Sequence, residues 1–359
     1  MRYDRIRPGK QWLDTNGRPI QAHGFTVFFD EKSGMYYWFG ENKEYTTGGK
    51  NNTVWTYGVR LYTSKDLYNW EDRGLIIEPS DDLDSPLHPT YQADRPHIIY
   101  NEKTGKYVCW IKIMAGEISQ FMTILTADDL EGPYTIEKAV YKPLDMDSGD
   151  FTLLKDEDSG KGYIIFERPH FQLITATLTD DYLGADGEYS VHYDGLLPPE
   201  TREAPTYFKR NGKKYLITSG TSGYYPNPSR VCMFDDLHGE YEDLGEICVG
   251  DKSGTSFSSQ FTSVIKLPGT DSYIACADRW MPQWYVPLMG KMIINGMKRH
   301  FADYVPDESP KYPQPLPEAE SVHTENTSIS RYVWLPIEWE GDRPFIRWRR
   351  QWKIEDLDR

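Results

Sequence analysis

Along this chain, short apolar stretches alternate with polar turns, and apolar side chains recur with a period near two. GFTVFF, YYWFG, HIIY, YVCWIK, FTLL, YIIF, TYF, YLIT and YIACA are each flanked by Gly, Pro, Asn, Asp or Ser. Such runs, rich in aromatic and β-branched residues and closed by turn formers, predict strands joined by tight turns. Alanine- and leucine-rich stretches with helical periodicity are nearly absent, so the pattern predicts a mostly β chain.

The strands come in similar pairs. REAPTYFKRNGKKYLITSG (202–220) reads as two strands around an Asn211-Gly212 turn. AHGFTVFFDEKSGMYYWFG from Ala22, ADRPHIIYNEKTGKYVCWIK from Ala93, GDFTLLKDEDSGKGYIIFE from Gly149 and SQFTSVIKLPGTDSYIACADRW from Ser259 follow the same plan. The second strand of each pair opens at Tyr36, Tyr107, Tyr163, Tyr215 and Tyr273, with spacings of 71, 56, 52 and 58. A third element follows most of them: TSKDLYNW, TADDLEGPY, TDDYLG and FDDLHGEY. Self-similarity at this period predicts one small antiparallel sheet per repeat, hence an all-β, five-bladed β-propeller with a pocket at one end of its central channel. We expect a single domain over 1–359 with an irregular insertion at about 281–327, too long for a hairpin. The tail RYVWLPIEWEGDRPFIRWRRQW is expected to close the ring by completing a blade with the N-terminal segment.

Counting back from each tyrosine finds a polar residue at a nearly constant offset. His23, Asp94, Asp150 and Gln260 stand 13 positions before, and Glu203 stands 12 before. Equal offsets mean equivalent places on inner strands, so these five side chains are expected to meet as a polar ring at one end of the channel. A carboxylate on an inner strand is costly when buried alone, and crowded carboxylates push some of their pKa values up, which suits general acid chemistry near neutral pH.

Charge narrows the partners. With 40 basic and 55 acidic residues the net charge is −15, which disfavours nucleic acid. No apolar run reaches the roughly 18 residues of a membrane span. The start, MRYDRIRPGKQW, lacks a hydrophobic leader core; the expectation is a cytoplasmic protein unless a leader has been removed. Cys109, Cys232, Cys248 and Cys276 form no CxxC pair and read as buried free thiols, with no zinc site.

The segments ADRPHIIYNEKTGKYVCW, SGDFTLLKDED, REAPTYFKRNGKKYLITSG and SQFTSV resemble glycoside hydrolase family 43, nearest its exo-β-1,3-galactanase branch. The resemblance covers nearly the whole chain and is most specific at EAPTYFKRNGKKYLITSG. It implies a five-bladed propeller and an inverting, exo-acting glycosidase. It implies Glu203 as general acid and Asp150 as the residue that tunes and orients that acid. The aspartate that the family's first repeat supplies as base is replaced here by His23 in AHG. The branch assigns water activation to a glutamine, matched by Gln260, and a sugar contact to a glutamate, matched by the shorter Asp94. From the residues alone, Gln260, Asp94 and His23 all remain open as the water-activating group.

His23, Glu41, Glu167, Arg168, Thr221, Arg279 and Trp280 are expected as substrate contacts, with Trp280 as the stacking surface. The expected substrate is an oligosaccharide or polysaccharide end, foremost β-galactosyl. An α-L-arabinofuranosidase or β-xylosidase is the enzymatic alternative, and a sugar-binding propeller without catalysis is the non-enzymatic one. No cofactor is required; the resemblance allows a calcium ion in the channel, though no metal-spacing motif compels it. Oligomerisation through 281–327 is a further expectation.

Overall fold

The computed structural model describes residues 2–48, 54–115, 119–284, 287–302 and 325–357. Within them, alternating apolar residues build five antiparallel sheets. The first is β1 (His23–Asp30), β2 (Met35–Glu41), β3 (Val59–Ser64) and β4 (Glu71–Ile77). The second is β5 (Gln92–Asn101), β6 (Lys106–Ala115), β7 (Ser119–Ala127) and β8 (Thr135–Tyr141). The third is β9 (Phe151–Lys155), β10 (Gly162–Arg168), β11 (Gln172–Leu178) and β12 (Ala185–His192). The fourth is β13 (Arg202–Arg210), β14 (Lys213–Gly220), β15 (Arg230–Phe234) and β16 (Glu242–Glu246). The fifth joins β18 (Gln260–Lys266), β19 (Tyr273–Arg279), β20 (Arg331–Glu340) and β21 (Arg343–Arg347), with β17 (Cys248–Val249) added in parallel to β21.

The first strands of the sheets touch in cyclic order: β1 with β5, β5 with β9, β9 with β13, β13 with β18, and β18 with β1. That closed cycle is a five-bladed propeller with these strands innermost. The hairpin at Asn211-Gly212 shows how local sequence sets register. Both residues have positive φ, 52° and 79°, Arg210 pairs with Lys213, and this two-residue turn matches the twist of the strands it joins. The outer faces of neighbouring blades pack as apolar layers around fully buried Trp38, Trp70, Trp110 and Trp334.

Ring closure differs from the expectation in one respect. The tail alone supplies the outer strands β20 and β21, while among the described residues the N-terminal segment meets the tail through the bridge of Ile6 with Trp352, at 2.9 and 3.0 Å, and through the Gly9 amide donating to the Tyr332 carbonyl at 2.7 Å. That segment instead packs Trp12 edge-on against the touching pair Trp38 and Trp334, with ring centroids 5.7 and 5.0 Å away. The 281–327 insertion also differs, since it carries a helix, α1 (Pro287–His300). Proline at the first helical position and a basic last turn, Lys298-Arg299-His300, suit the two ends of a helix. Residues 285–286 and 303–324 of the insertion lie outside the described residues, as do residues 49–53 of the long first loop. All four cysteines are buried thiols. Among the described residues, no helix is long and apolar enough to cross a membrane.

Candidate active site

The polar ring forms because the same register recurs in each blade. His23 pairs with Glu41, Asp94 with Lys112, Glu203 with Ser219, and Gln260 with Asp278. Asp150 holds the matching place in the third blade, its carbonyl accepting the Glu167 amide at 2.8 Å. Directly after His23, Asp94 and Glu203 the pairing slips by a bulge. The following residues, Gly24, Arg95 and Ala204, adopt φ of 51°, 49° and 51°. A bulge bends the strand and re-aims its side chains, here at the rim. At Gly24 space also demands glycine, because a Cβ would fall 2.0 Å from Glu41 Oε1.

Arg95 is the hub. Its backbone amide donates to Glu41 Oε1 at 2.8 Å, its Nε lies 2.7 Å from Asp150 Oδ2, and its Nη2 donates to Gln260 Oε1 at 2.5 Å. Lys112 approaches the other Asp150 oxygen at 2.8 Å and Asp94 at 3.6 Å. Lys43 bridges Glu41 and Asp94 at 2.8 and 3.3 Å, and the Trp55 indole donates to Asp94 Oδ1 at 2.6 Å. Three buried cations thus sit among six carboxyl groups, since Glu167, Glu203 and Asp278 are buried too.

This arrangement separates the acids electrically. Burial would raise Asp150, but the charges of Arg95 and Lys112 outweigh it and hold the carboxyl at about 2. Asp94 is likewise lowered, Lys43 and Lys112 overcoming its burial. Burial pushes Glu41 up to about 7 against the pull of Lys43. Glu203 is raised well above the ordinary range, first by burial and then by the negative charges of Asp150 and Glu167. One carboxyl that keeps its proton beside others that have lost theirs is the division of labour expected of an acid catalyst and its partners.

Glu203 Oε1 accepts from Gln260 Nε2 at 3.0 Å. The same amide nitrogen donates to Ser219 Oγ at 2.9 Å, and the amide oxygen accepts from Trp280 Nε1 at 3.0 Å as well as from Arg95. A cleft opens beside this couple. Ser219, Tyr224, Asn227, Ser258, Ser259 and Trp280 are among the residues that line it. Its aromatic wall holds Trp280 and Tyr224, 5.4 Å between centroids, and Tyr224 in turn packs against Trp55 at 5.9 Å.

The ring unites Asp94, Asp150, Glu203, Gln260, Glu41 and Glu167, with Trp280 at its edge. Four residues read as sugar contacts are placed otherwise. His23 is 0 % exposed; its Nδ1 lies 2.8 Å from Asp278 Oδ1 and its ring stacks on Tyr332 at 4.9 Å, tying the first blade to the fifth. Thr221 is buried with its hydroxyl 2.6 Å from that of Thr201. Arg168 reaches Gln172 at 3.3 Å and the face of Phe171. Arg279 points away from its neighbour Asp278, to the carbonyls of Phe257 and Ser258.

Sequence reading missed Arg95, Lys43, Lys112, Ser219, Asp278, Trp55 and Tyr224. Lys112, Ser219 and Asp278 were within reach, because they occupy the second-strand place that singled out Glu41 and Glu167. Arg95 carried a weaker signal: three acids converging on a buried rim require a cation, and DRP supplies one beside Asp94. Trp55 and Tyr224 come from loops, which no repeat pattern registers.

A five-bladed propeller that gathers a proton-holding glutamate, charged aspartates and an aromatic wall at one mouth has the parts of an acid-catalysed carbohydrate hydrolase. Residues 25–280 match the model of the glycosyl hydrolases family 43, and the chain belongs to that family. Among solved structures it is similar to a GH43 β-1,3-galactosidase at 27 % identity and a TM-score of 0.76, over 99 % of this chain and 65 % of that one. It thus spans just under two thirds of that protein's length. A second GH43 β-1,3-galactosidase, solved with galactodeoxynojirimycin, is 28 % identical with a TM-score of 0.75, over 97 % of this chain and 100 % of its own. The exo-β-1,3-galactanase from Phanerochaete chrysosporium, solved with β-1,3-galactotriose, is 26 % identical with a TM-score of 0.75, over 98 % and 68 % of the two chains. No curated protein sequence matches the chain.

Proposed function

We propose that this protein is an exo-acting, inverting glycoside hydrolase that removes terminal β-galactosyl residues from β-1,3-linked galactan. The observation that carries the chemistry is Glu203, raised first by its burial and then by Asp150 and Glu167, while Asp150 itself stays charged on Arg95 and Lys112. Glu203 protonates the departing glycosidic oxygen, and Asp150 sustains the field that keeps that proton in place. The choice of galactose rests on the galactosidases and galactanase that the chain is similar to along nearly its full length.

Water activation needs a group on the opposite face of the sugar, about 6.5–9.5 Å from the acid in an inverting enzyme. Gln260 touches Glu203 at 3.0 Å, so a sugar enters between them only when that bond opens. Once it opens, the Gln260 N–H released by Glu203 is free to hold a water, while Arg95 and Trp280, which fill both lone pairs of the amide oxygen, keep the side chain in place. Asp94 is charged and held by Trp55, Lys43 and Lys112, which suits binding of sugar hydroxyls.

A calcium ion at the channel mouth does not fit these residues. Arg95 places a fixed positive charge between Asp150 and Gln260, and Lys43 and Lys112 neutralise the aspartates. Among the described residues, Glu167, His170 and Glu203 are the group whose ligand atoms come within 4.8 Å of one another. The proposed reaction uses side chains and water alone.

The test is a panel of galacto-, arabino- and xylo-oligosaccharides and aryl glycosides, with the product anomer read by NMR. Release of galactose with inverted configuration from β-1,3-galactobiose is expected. Preference for an arabinosyl or xylosyl substrate would overturn the substrate, and retained configuration would overturn the mechanism. Sugar binding without any turnover would overturn both.

A further inference from the structure

We infer that Arg279 is a positioning residue for the cleft: it fixes the left-handed turn 256–258 that presents Ser258 and Ser259 to the ligand and leads the chain into Gln260. This inference rests on the hydrolase reading of the cleft. The turn is unusual in its backbone. Ser256, Phe257 and Ser258 have φ of 54°, 59° and 57°, three successive residues with a Cβ in a region that L-amino acids disfavour. Such a conformation persists only where its surroundings over-determine it.

Those surroundings are visible. Asp251 Oδ2 accepts the amides of Thr255 and Phe257 at 2.8 and 3.0 Å. The Ser256 hydroxyl donates to the Asn227 carbonyl at 2.8 Å. Arg279 then takes the two carbonyls that the left-handed twist turns outward, Nη2 donating to Phe257 O at 2.7 Å and Nε to Ser258 O at 3.2 Å. A planar fork can hold two acceptors at once, whereas an ammonium acts as a point charge. The fork is itself confined. A Cβ on Gly9 would lie 2.2 Å from Arg279 Nη1, and the Trp348 ring lies 5.7 Å from the guanidinium carbon.

The consequence reaches the chemistry through one strand. Ser258 and Ser259 line the cleft. Gln260 follows immediately, and its amide bonds Glu203, Ser219, Arg95 and Trp280. Arg279 and Asp278 are neighbours on β19 with opposite side-chain directions. One face of that strand thus meets the cleft at Asp278, and the other braces the cleft's wall from behind. The arginine read from the sequence as a sugar contact acts at one remove.

The experiment uses Arg279→Lys and Arg279→Ala in the full chain. Hydrogen exchange is followed by mass spectrometry across 255–259, alongside turnover of β-1,3-galactobiose. In Arg279→Lys, the amides of this segment are expected to exchange about tenfold faster or more. Its kcat/KM is expected to fall about tenfold or more, with exchange in β1, β5, β9 and β13 unchanged. Millimolar guanidinium chloride is expected to restore Arg279→Ala several-fold and leave wild type unaffected. Unchanged exchange at 255–259 would overturn the inference, as would faster exchange with undiminished kcat/KM. Should both variants fail to fold, Gly9→Ala displaces the guanidinium by its added Cβ, and the same two readouts decide. A wild type that cleaves no glycoside would defeat the hydrolase reading; exchange at 255–259 needs no substrate and still judges the brace.

Discussion

Asp150→Asn tests the electrostatic core of the site. The Asp150 carboxyl sits at about 2 in place of 3.8, a gap that stabilises the charged native form by about 2 kcal/mol. The sign follows from the depressed value. The contribution is fully present above pH 3.8 and is lost as pH falls through about 2. Asparagine removes the charge while Arg95 and Lys112 stay buried with one counter-ion fewer, so the loss at neutral pH is at least about 2–3 kcal/mol. The assay is urea unfolding of both proteins at steps from pH 7 to pH 2.5. The gap between them is expected to narrow toward acid, as the wild type gives up what the variant already lacks. The same substitution removes a negative charge that raises Glu203, so the alkaline limb of kcat/KM is expected to move to lower pH. A stability gap that is constant with pH, together with an unmoved alkaline limb, would refute the account of Asp150 as a charged partner of the acid.

Glu203→Gln is expected to lower oligosaccharide turnover by about 10²–10⁴-fold, with sugar affinity by calorimetry nearly unchanged. Because the folded Glu203 is raised, its contribution to stability is fully present below about pH 4.5 and declines as pH rises through the folded value. The glutamine variant is therefore expected to lose less stability toward alkaline pH than the wild type in the same urea series. Trp352→Ala removes a buried indole that donates to Trp334 O at 2.9 Å and flanks the Ile6 bridge; a loss of about 3–5 kcal/mol is expected in denaturant unfolding. Gly212→Ala places a Cβ at φ 79° with open space around it, so only backbone strain is added. A cost of about 1–2 kcal/mol with unchanged kcat/KM is expected.

Much of the architecture was written locally. Period-two runs, the Asn211-Gly212 turn and the recurring tyrosines are short-range features, and each predicts a hairpin wherever it occurs. Repetition turned those hairpins into a ring, because a small two-faced sheet buries its faces only by stacking on neighbours. Helix α1 was less legible, since its single stretch of Met and Ile sits in a proline-rich insertion with no repeat to compare. The N-terminal segment was misjudged for a related reason. Whether Ile6 forms a blade strand or a lone bridge depends on where Trp352 lies, more than 300 positions away.

The sequence by itself determined the five blades and the set of polar residues that open them, because constant offsets from a strand start become constant positions on a rim. Only the tertiary structure decided what those residues are to one another. Charge state and partnership depend on distance through space, and the offsets carry none. Thus Arg95, one residue past an expected site, became the hub of four blades through contacts to Glu41, Asp150 and Gln260. His23 sits at the same kind of rim position as Glu203, yet it is sealed against Asp278 and Tyr332 while Glu203 faces two carboxylates that raise it.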